Sequence, residues 1–248
     1  MMNDERAIGV LRRIRVVLDM IKFEHTVFAL PFALISMMLA AHDFPHEGDR
    51  LPSLRTVALI VLACYAARSA AMAFNRLADV EQDRENPRTR TRALVIGLLS
   101  ARFVWVFMLV HVALFLAAAY ALNWLAFALS PVALLIVLGY SYVKRFSWAT
   151  HFVLGLALAV APMGAWIAVR GQFGALPAIL ALAVLFWTAG FDIIYACQDY
   201  AFDVAKGIHS IPARFGIAPA LVISAALHAL AWLAMLGFAM AADAGPLF

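Results

Sequence analysis

Long apolar runs separated by short polar connections dominate the chain. A helix needs about 20 apolar residues to cross a bilayer, and seven runs meet or approach that length. The first run is short but can be extended upstream through Val16–Ile21. The runs lack the two-residue alternation of a membrane barrel, and backbone groups in lipid must be satisfied within a segment, so we predict seven transmembrane helices. The predicted spans are Thr26–Ala41, Thr56–Phe74, Phe103–Leu122, Trp124–Val143, Ser147–Val169, Gln172–Phe191 and Gly216–Ala242.

Composition supports the same fold class. Hydrophobic residues make up 65% of the 248 residues and charged residues only 14%, and the mean hydropathy is +0.90. Soluble domains carry about 25% charged residues, so a soluble globule, a nucleic-acid-binding domain and a disordered chain are excluded. Cys64 and Cys197 belong to no CxxC motif or Cys/His cluster, so the sequence does not indicate a zinc site or a disulfide framework. We therefore expect an all-α polytopic membrane protein.

Positive charge is distributed unevenly among the connections. The N-terminal segment carries five Lys and Arg residues, and the connections after the second, fourth and sixth runs carry six, two and two. The remaining connections carry three, and Arg68 is the one formal charge inside a run. By the positive-inside rule this asymmetry predicts a cytoplasmic N-terminus. Residues 1–25 are too charged for a signal peptide and are predicted to form an amphipathic basic segment on the membrane surface.

Acidic residues concentrate in two segments of similar spacing, which we call box 1 (residues 75–83) and box 2 (residues 192–203). Side chains four residues apart lie on one helical face, so each box directs oxygen ligands the same way. Clustered carboxylates near lipid are costly unless a cation neutralises them. Magnesium is commonly held by one or two carboxylates together with phosphate oxygens. The boxes therefore predict a site in which two Mg²⁺ ions bind a pyrophosphate between them. The alternative is that each box is a hydrated helix end with ordinary surface acids. The ligands would be Asn75, Asp79, Asp83, Asp192, Asp199 and Asp203.

Cationic residues lie on the same predicted side of the membrane. Arg68 precedes Asn75 by seven residues, or two helical turns, and at its depth we expect Asp79 or a bound phosphate as its partner. Tyr140 and Lys144 share a helical face. Taken alone, they would be explained as interfacial and topogenic residues. Together with the boxes they predict an anion site.

Two segments carry a family resemblance. NRLADVEQDRENPRTRTR and DIIYACQDYAFDVAKGIHSIPARFG resemble the two signature boxes of the UbiA superfamily of intramembrane prenyltransferases, Asn-x3-Asp-x3-Asp and Asp-x2-Tyr-x3-Asp-x3-Asp. The similarity extends from about Lys22 to Phe215 and includes Tyr140-x3-Lys144. The opening KFEHTVFALPFA is similar to the 4-hydroxybenzoate polyprenyltransferase-like branch, part of which serves the futalosine route to menaquinone. One departure is Arg92-Ala93, where the family usually has Arg-Pro.

The resemblance implies a helical bundle with a lipid-open cavity under a cytoplasmic cap. The acids of both boxes would bind Mg²⁺ and through it the diphosphate of a polyprenyl donor. Tyr195 would face the developing allylic cation. Because the family usually has nine spans, residues 1–248 are expected to form one membrane-embedded domain that lacks the last two helices. The residues implied to neutralise the departing pyrophosphate are Arg68, Arg76, Tyr140 and Lys144. The residues implied to be catalytic are Asp79, Asp83, Lys144, Tyr195, Asp199 and Asp203.

The expected function is Mg-dependent transfer of a polyprenyl group from polyprenyl diphosphate to an aromatic acceptor resembling 4-hydroxybenzoate. This would serve ubiquinone or menaquinone biosynthesis in a bacterial cytoplasmic membrane. Lys22 and His25, three residues apart, are the expected anchors of an anionic acceptor, unless Lys22 snorkels and His25 caps the span. The alternatives are prenyl transfer of the haem or chlorophyll type, and an ion-coupled transporter. A transporter predicts acids near the midplane, whereas both boxes lie at helix ends. A seven-helix receptor gives no reason for two boxes. Acceptor identity, tail length and oligomeric state stay open.

Overall fold

The computed structural model describes residues 10–21, 29–42 and 51–243, and within those ranges all regular structure is helical. Eleven α-helices and one 3-10 turn, Cys197–Asp199, follow one another along the described chain. The helices are α1 (Val10–Ile21), α2 (Leu30–His42), α3 (Leu54–Ala78), α4 (Val80–Glu85), α5 (Ala101–Leu122), α6 (Trp124–Val143), α7 (Thr150–Arg170), α8 (Ala175–Ala196), α9 (Tyr200–Lys206), α10 (Ile211–Phe215) and α11 (Ile217–Ala241).

Six helices, namely α3, α5, α6, α7, α8 and α11, are long and apolar enough to cross a membrane. They confirm the all-α membrane fold and six of the seven predicted spans. The remaining prediction, Thr26–Ala41, corresponds to α2, whose 13 residues fall short of the roughly 20 that a crossing needs. Val16–Ile21, the predicted upstream extension, lies in α1, and residues 22–28 between the two helices lie outside the described ranges. The described part of the chain therefore has six membrane-length helices where seven were predicted.

Side-chain caps define where several helices begin and end. Asn123 alone connects α5 to α6, and its Oδ1 accepts a hydrogen bond from the Ala126 N–H at 2.9 Å, which caps α6. Its Nδ2 donates to the carbonyls of Ile167 and Ala168 at 2.8 and 3.0 Å, so it also satisfies the end of α7. Gly171, at φ 64°, ends α7 in the left-handed conformation that glycine adopts without strain.

Small residues and hydroxyls join the long helices. A Cβ at Gly155 of α7 would overlap the Leu185 carbonyl of α8, so these two backbones are in close contact. Ser36 of α2 donates to the Pro162 carbonyl of α7 at 2.7 Å, and Ser224 of α11 donates to the Gly190 carbonyl of α8 at 2.7 Å. Such contacts are typical of helix association in lipid, where apolar burial alone gives little discrimination.

Helix α1 packs beside the end of α3 that carries box 1. Met20 and Ile21 are buried in a cluster with Ala70, Ala73 and Val104. On the same helix Asp19 is exposed, so the described part of the predicted N-terminal segment is two-sided.

The close contact between α7 and α8 can be tested with Gly155→Val. The added side chain would force the two backbones apart, and overpacking of this kind typically costs about 1–3 kcal/mol of stability. We expect a clear fall in the melting temperature of the purified protein. Gly164→Ala on the same helix is the matched control, because its Cβ would meet nothing within 4 Å. Equal melting temperatures for the two variants would contradict the packing described here.

Candidate functional site

A polar cavity of about 580 Å³ opens between the helix ends that carry box 1 and box 2. Helices α3, α4, α6, α7, α8 and α9 surround it, together with the segment that follows α4. Lys22 and His25, the predicted acceptor anchors, lie outside the described residues. Every other predicted site residue lines this one cavity, and these residues are Arg68, Asn75, Arg76, Asp79, Asp83, Tyr140, Lys144, Asp192, Tyr195, Asp199 and Asp203.

Box 1 keeps its predicted alignment although the helix is interrupted within it. Helix α3 ends at Ala78, and Asp79, at φ −99° and ψ 2°, separates it from α4. The backbone N–H of Asp79 still donates to the Asn75 carbonyl at 3.0 Å, and that of Asp83 to the Asp79 carbonyl at 2.7 Å. Because both four-residue steps are retained, the three oxygen-bearing side chains stay on one face. Asn75 Nδ2 also donates to Asp79 Oδ2 at 3.0 Å.

Box 2 is divided into two helical segments. The 3-10 turn Cys197–Asp199 separates Asp192 on α8 from Asp203 on α9. A 3-10 turn winds more tightly than an α-helix, and Asp192, Asp199 and Asp203 nevertheless line the same cavity. Asp203 is buried, and its Oδ2 accepts a hydrogen bond from Ser210 Oγ at 2.9 Å.

Three of the carboxylates are paired with cations across the cavity mouth. Lys144 Nζ lies 2.6 Å from Asp79 Oδ2, and Arg92 Nη1 lies 2.6 Å from both oxygens of Asp83. Arg88 binds both oxygens of Asp199, with Nε 2.9 Å from Oδ1 and Nη2 close to Oδ2. The hydrogen bond and the negative charge of Asp199 raise the pKa of the Arg88 guanidinium above its usual value. The contact of Arg88 with both oxygens of Asp199 is fork-shaped, a geometry that gives strong charge-assisted hydrogen bonds.

The segment after α4 connects the two boxes, and sequence reasoning missed it. Asn86 Nδ2 donates to Asp199 Oδ1 at 3.1 Å, beside Arg88 on the same carboxylate. Arg88 and Arg92 were counted as topogenic charges, and Arg92-Ala93 was noted as a departure from the family pattern, but neither arginine was predicted to be a site residue. The one sequence signal is that both arginines lie within nine residues of the last acid of box 1.

Arg68 and Arg76 lie in the cavity wall without an acidic partner from box 1. The expected pairing of Arg68 with Asp79 is not found among the described residues: Asp79 Oδ2 binds Lys144 and Asn75, and Asp79 Oδ1 makes no hydrogen bond to Arg68. Both Arg68 Nε and Asp79 Oδ1 are buried and have no hydrogen-bond partner among the described residues. Arg76 is buried and donates from Nε to the Met20 carbonyl at 3.3 Å. The second expected partner of Arg68, a bound phosphate, stays a prediction.

An aromatic series on α8 faces the same cavity. Tyr195 and Phe191 have ring centroids 4.8 Å apart, and Phe191 stacks on Trp187 at 6.3 Å. All three line the cavity, whereas only Tyr195 was predicted. The four-residue spacing of these aromatic residues was the signal that could have indicated the other two. Aromatic faces stabilise nearby positive charge.

A second, almost entirely apolar cavity of about 570 Å³ is lined by neighbouring residues of several of the same helices. It lies among α3, α5, α6, α7 and α8. Ala67 lines the apolar cavity and the next residue, Arg68, lines the polar cavity. On α6 the change from Val137 to Tyr140 marks the same boundary. The two cavities together give a polar mouth above an apolar chamber.

The donor set suits a hard divalent cation. Carboxylate oxygens and an amide oxygen are its preferred ligands, and the buried, unpartnered Asp79 Oδ1 offers one such oxygen. Among the described residues, no three His, Cys, Asp or Glu side chains lie close enough to hold a metal ion by themselves. An ion here would need phosphate oxygens or water to complete its coordination, as Mg²⁺ commonly does.

Comparison with known proteins identifies relatives of this arrangement. A model of the UbiA prenyltransferase family matches residues 29–248. The 4-hydroxybenzoate octaprenyltransferase of Pseudomonas aeruginosa is 33% identical over 180 residues, which cover 71% of this chain and 60% of that protein. The chain therefore spans less than two thirds of the length of that curated relative.

Solved structures share the fold. A UbiA homologue from Aeropyrum pernix K1 superposes with a TM-score of 0.81 at 36% identity, covering 90% of this chain and 81% of the other. A UbiA homologue from Archaeoglobus fulgidus, solved with DMAPP and Mg²⁺ bound, gives a TM-score of 0.72 at 25% identity, covering 90% and 77%.

The ion pair between Arg92 and Asp83 predicts a specific loss of stability. Arg92→Leu would leave the buried Asp83 carboxylate uncompensated, which costs on the order of 1–3 kcal/mol or more for a charged group. We expect a lower melting temperature for the purified protein. Arg90→Leu, which removes an exposed cation from the same segment, is the control and should melt like the wild type. If Arg90→Leu destabilises the protein as much as Arg92→Leu, the pair has no special role.

Proposed function

Because the chain belongs to the UbiA prenyltransferase family, we propose that it transfers a polyprenyl group from polyprenyl diphosphate to an aromatic acceptor with the help of Mg²⁺. One observation carries the proposal: a carboxylate-lined polar cavity opens directly above an apolar chamber. An amphiphile could place its charged head in the polar cavity and its isoprenoid tail in the apolar chamber. The named activity of the Pseudomonas aeruginosa relative supports an acceptor of the 4-hydroxybenzoate type.

The diphosphate head would bind in the polar cavity. The oxygens of Asn75 and of the five box aspartates would hold Mg²⁺, which neutralises charge on the leaving group when it is bound. With the carboxylates bound to the cation, Lys144, Arg88 and Arg92 would be available to bind the phosphate oxygens. Arg68, with its unpartnered Nε, and Arg76 supply further positive charge at the cavity wall. These cations stabilise the departing pyrophosphate.

The tail would occupy the apolar chamber, where its burial favours binding. The carbon that becomes cationic as pyrophosphate leaves would lie near the aromatic series Trp187, Phe191 and Tyr195, whose faces favour positive charge. The acceptor must approach the same point, and Lys22 and His25 remain the proposed anchors for an acidic group on it. The product would serve ubiquinone or menaquinone synthesis.

The same proposal fixes an orientation. The Lys and Arg excess lies on the side of the boxes, which favours a cytoplasmic mouth and a cytoplasmic N-terminus in a bacterial cytoplasmic membrane. Residues 1–248 would form one domain, in agreement with a family match that runs from residue 29 to residue 248. A cytoplasmic mouth receives a water-soluble acceptor, while the donor enters from the lipid.

Removal of single carboxylates tests the proposed chemistry. Asp79→Ala and Asp199→Ala should each lower the rate of prenylated-product formation at least about a hundredfold, because each removes an electrostatic contact to the leaving group. Product is detected by mass spectrometry after incubation with Mg²⁺, polyprenyl diphosphate and a panel of aromatic acids. Glu81→Gln, an exposed acid of box 1 outside the cavity, is the control and should keep full activity. Full wild-type activity in the presence of chelator would sink the proposal.

Narrowing the apolar chamber tests the position of the tail. Ala67→Phe would place a ring in the chamber just below Arg68. Since each buried methylene contributes about 0.8 kcal/mol, exclusion of part of a long tail should raise the KM for a polyprenyl donor far more than that for dimethylallyl diphosphate. Ala58→Phe, on an exposed face of the same helix, should change neither value. Equal effects on long and short donors would place the tail elsewhere.

A further inference from the structure

Asp192 differs from the other box aspartates in its partner. Asp79, Asp83 and Asp199 are paired with Lys or Arg, and Asp203 accepts a hydrogen bond from Ser210. Asp192 instead contacts His151 of α7, whose Nδ1 lies 2.7 Å from Asp192 Oδ2. Within the described ranges, no Lys or Arg pairs with Asp192.

The other nitrogen of His151 determines the direction of that hydrogen bond. The backbone N–H of Ile211, the first residue of α10, donates to His151 Nε2 at 3.2 Å. A backbone N–H can only donate, so Nε2 must present its lone pair, and the ring proton must therefore lie on Nδ1. His151 thus donates from Nδ1 to the Asp192 carboxylate. The ring is 2% exposed, so water does not compete for either nitrogen.

The element that holds His151 is itself fixed to the site. Ser210 caps α10 by accepting the Ala213 N–H at 3.2 Å, and the same hydroxyl donates to Asp203. The adjacent His209 N–H donates to the Lys144 carbonyl at 2.8 Å. The start of α10 is therefore joined to both Asp203 and Lys144, and through His151 to Asp192.

We propose that His151 is a positioning residue: held in the Nδ1–H tautomer by Ile211, it fixes the Asp192 carboxylate in the polar cavity as a ligand for the divalent cation. This rests on the proposed function, because it takes Asp192 to be part of the cation–diphosphate site. His151 binds one carboxylate oxygen and leaves the second to the cation.

A neutral donor has a specific advantage at this position. Lys144, Arg88 and Arg92 compensate their carboxylates with full positive charge, which a divalent cation must displace. His151 orients Asp192 without neutralising it, so Asp192 keeps its negative charge for the incoming ion. Hydrogen-bond partners that orient metal ligands typically contribute 10- to 100-fold to metal affinity.

Nitrogen-15 NMR of the histidine-labelled full-length protein tests the tautomer without substrate or metal. The His151 signals are assigned by their loss in His151→Gln. We expect a proton on Nδ1 and none on Nε2. A proton on Nε2, alone or together with one on Nδ1, overturns the inference and leaves the proposed prenyl transfer untouched.

Manganese binding, measured from the free Mn²⁺ signal by electron paramagnetic resonance, tests the positioning role. His151→Leu can neither donate to Asp192 nor accept from Ile211, and we expect about 10- to 100-fold weaker Mn²⁺ binding. His151→Gln can do both, with its amide N–H and carbonyl, and should stay within a few-fold of the wild type. Ser224→Ala, which removes an interhelical hydrogen bond away from the cavity, should lower stability without changing the Mn²⁺ affinity.

The outcomes separate the inference from the proposed function. If wild type binds Mn²⁺ and His151→Leu binds it equally well, or if His151→Gln is impaired as much as His151→Leu, the positioning role is overturned while the proposed function stands. If the wild-type protein binds no Mn²⁺ and forms no prenylated product, the proposed function fails and the inference fails with it.

Discussion

The polar mouth of the cavity depends on one constraint: the negative charges of the carboxylates at the ends of α3 and α8 must be balanced by nearby cations. An uncompensated carboxylate at the edge of an apolar bundle is costly, and breaking a buried pair costs more than the pair contributes. Three cations form ion pairs with these carboxylates: Lys144 at the end of α6, and Arg88 and Arg92 in the segment after α4. The same contacts therefore connect the ends of α3 and α6, helix α4, the segment after it and the 3-10 turn, around the one cavity that every described site residue lines.

Local signals predicted the helices well, and most of all α6, whose bounds Trp124–Val143 agree with the apolar run between a capping Asn123 and Lys144. The four-residue spacing also predicted the alignment of box 1, because it depends only on neighbouring backbone hydrogen bonds. The cations that pair with these acids could not be predicted from the sequence. Arg88 and Asp199 are 111 residues apart, and no periodicity relates them. Nor could the sequence show that Asp79 Oδ2 pairs with Lys144, 65 residues away, when Arg68 was the expected partner.

The change from polar to apolar lining within one residue on α3 joins the chemistry to the membrane. A reaction that separates a diphosphate from an allylic carbon needs cations on one side of the breaking bond and electron-rich, water-excluding surface on the other. The cations line the mouth, and the aromatic residues Trp187, Phe191 and Tyr195 alternate along α8 with the carboxylate of Asp192. Both requirements are thus met along the same helices, and on α8 the carboxylate and the aromatic faces line the same cavity.

The long sequence separations of the ion pairs also order the assembly of the protein during translation. Arg92 follows Asp83 by nine residues, but Lys144 follows Asp79 by 65 and Asp199 follows Arg88 by 111. At a translation rate of about 5–20 residues per second, the ribosome needs several seconds or more to add the residues between Arg88 and Asp199. Until Lys144 has been synthesised, Asp79 of box 1 lacks the cation that pairs with it, and Arg88 lacks its carboxylate partner until Asp199 follows. Arg88 can pair with Asp199 only after α3, α5, α6, α7 and α8 have been synthesised, so this ion pair is the last of the three that can form.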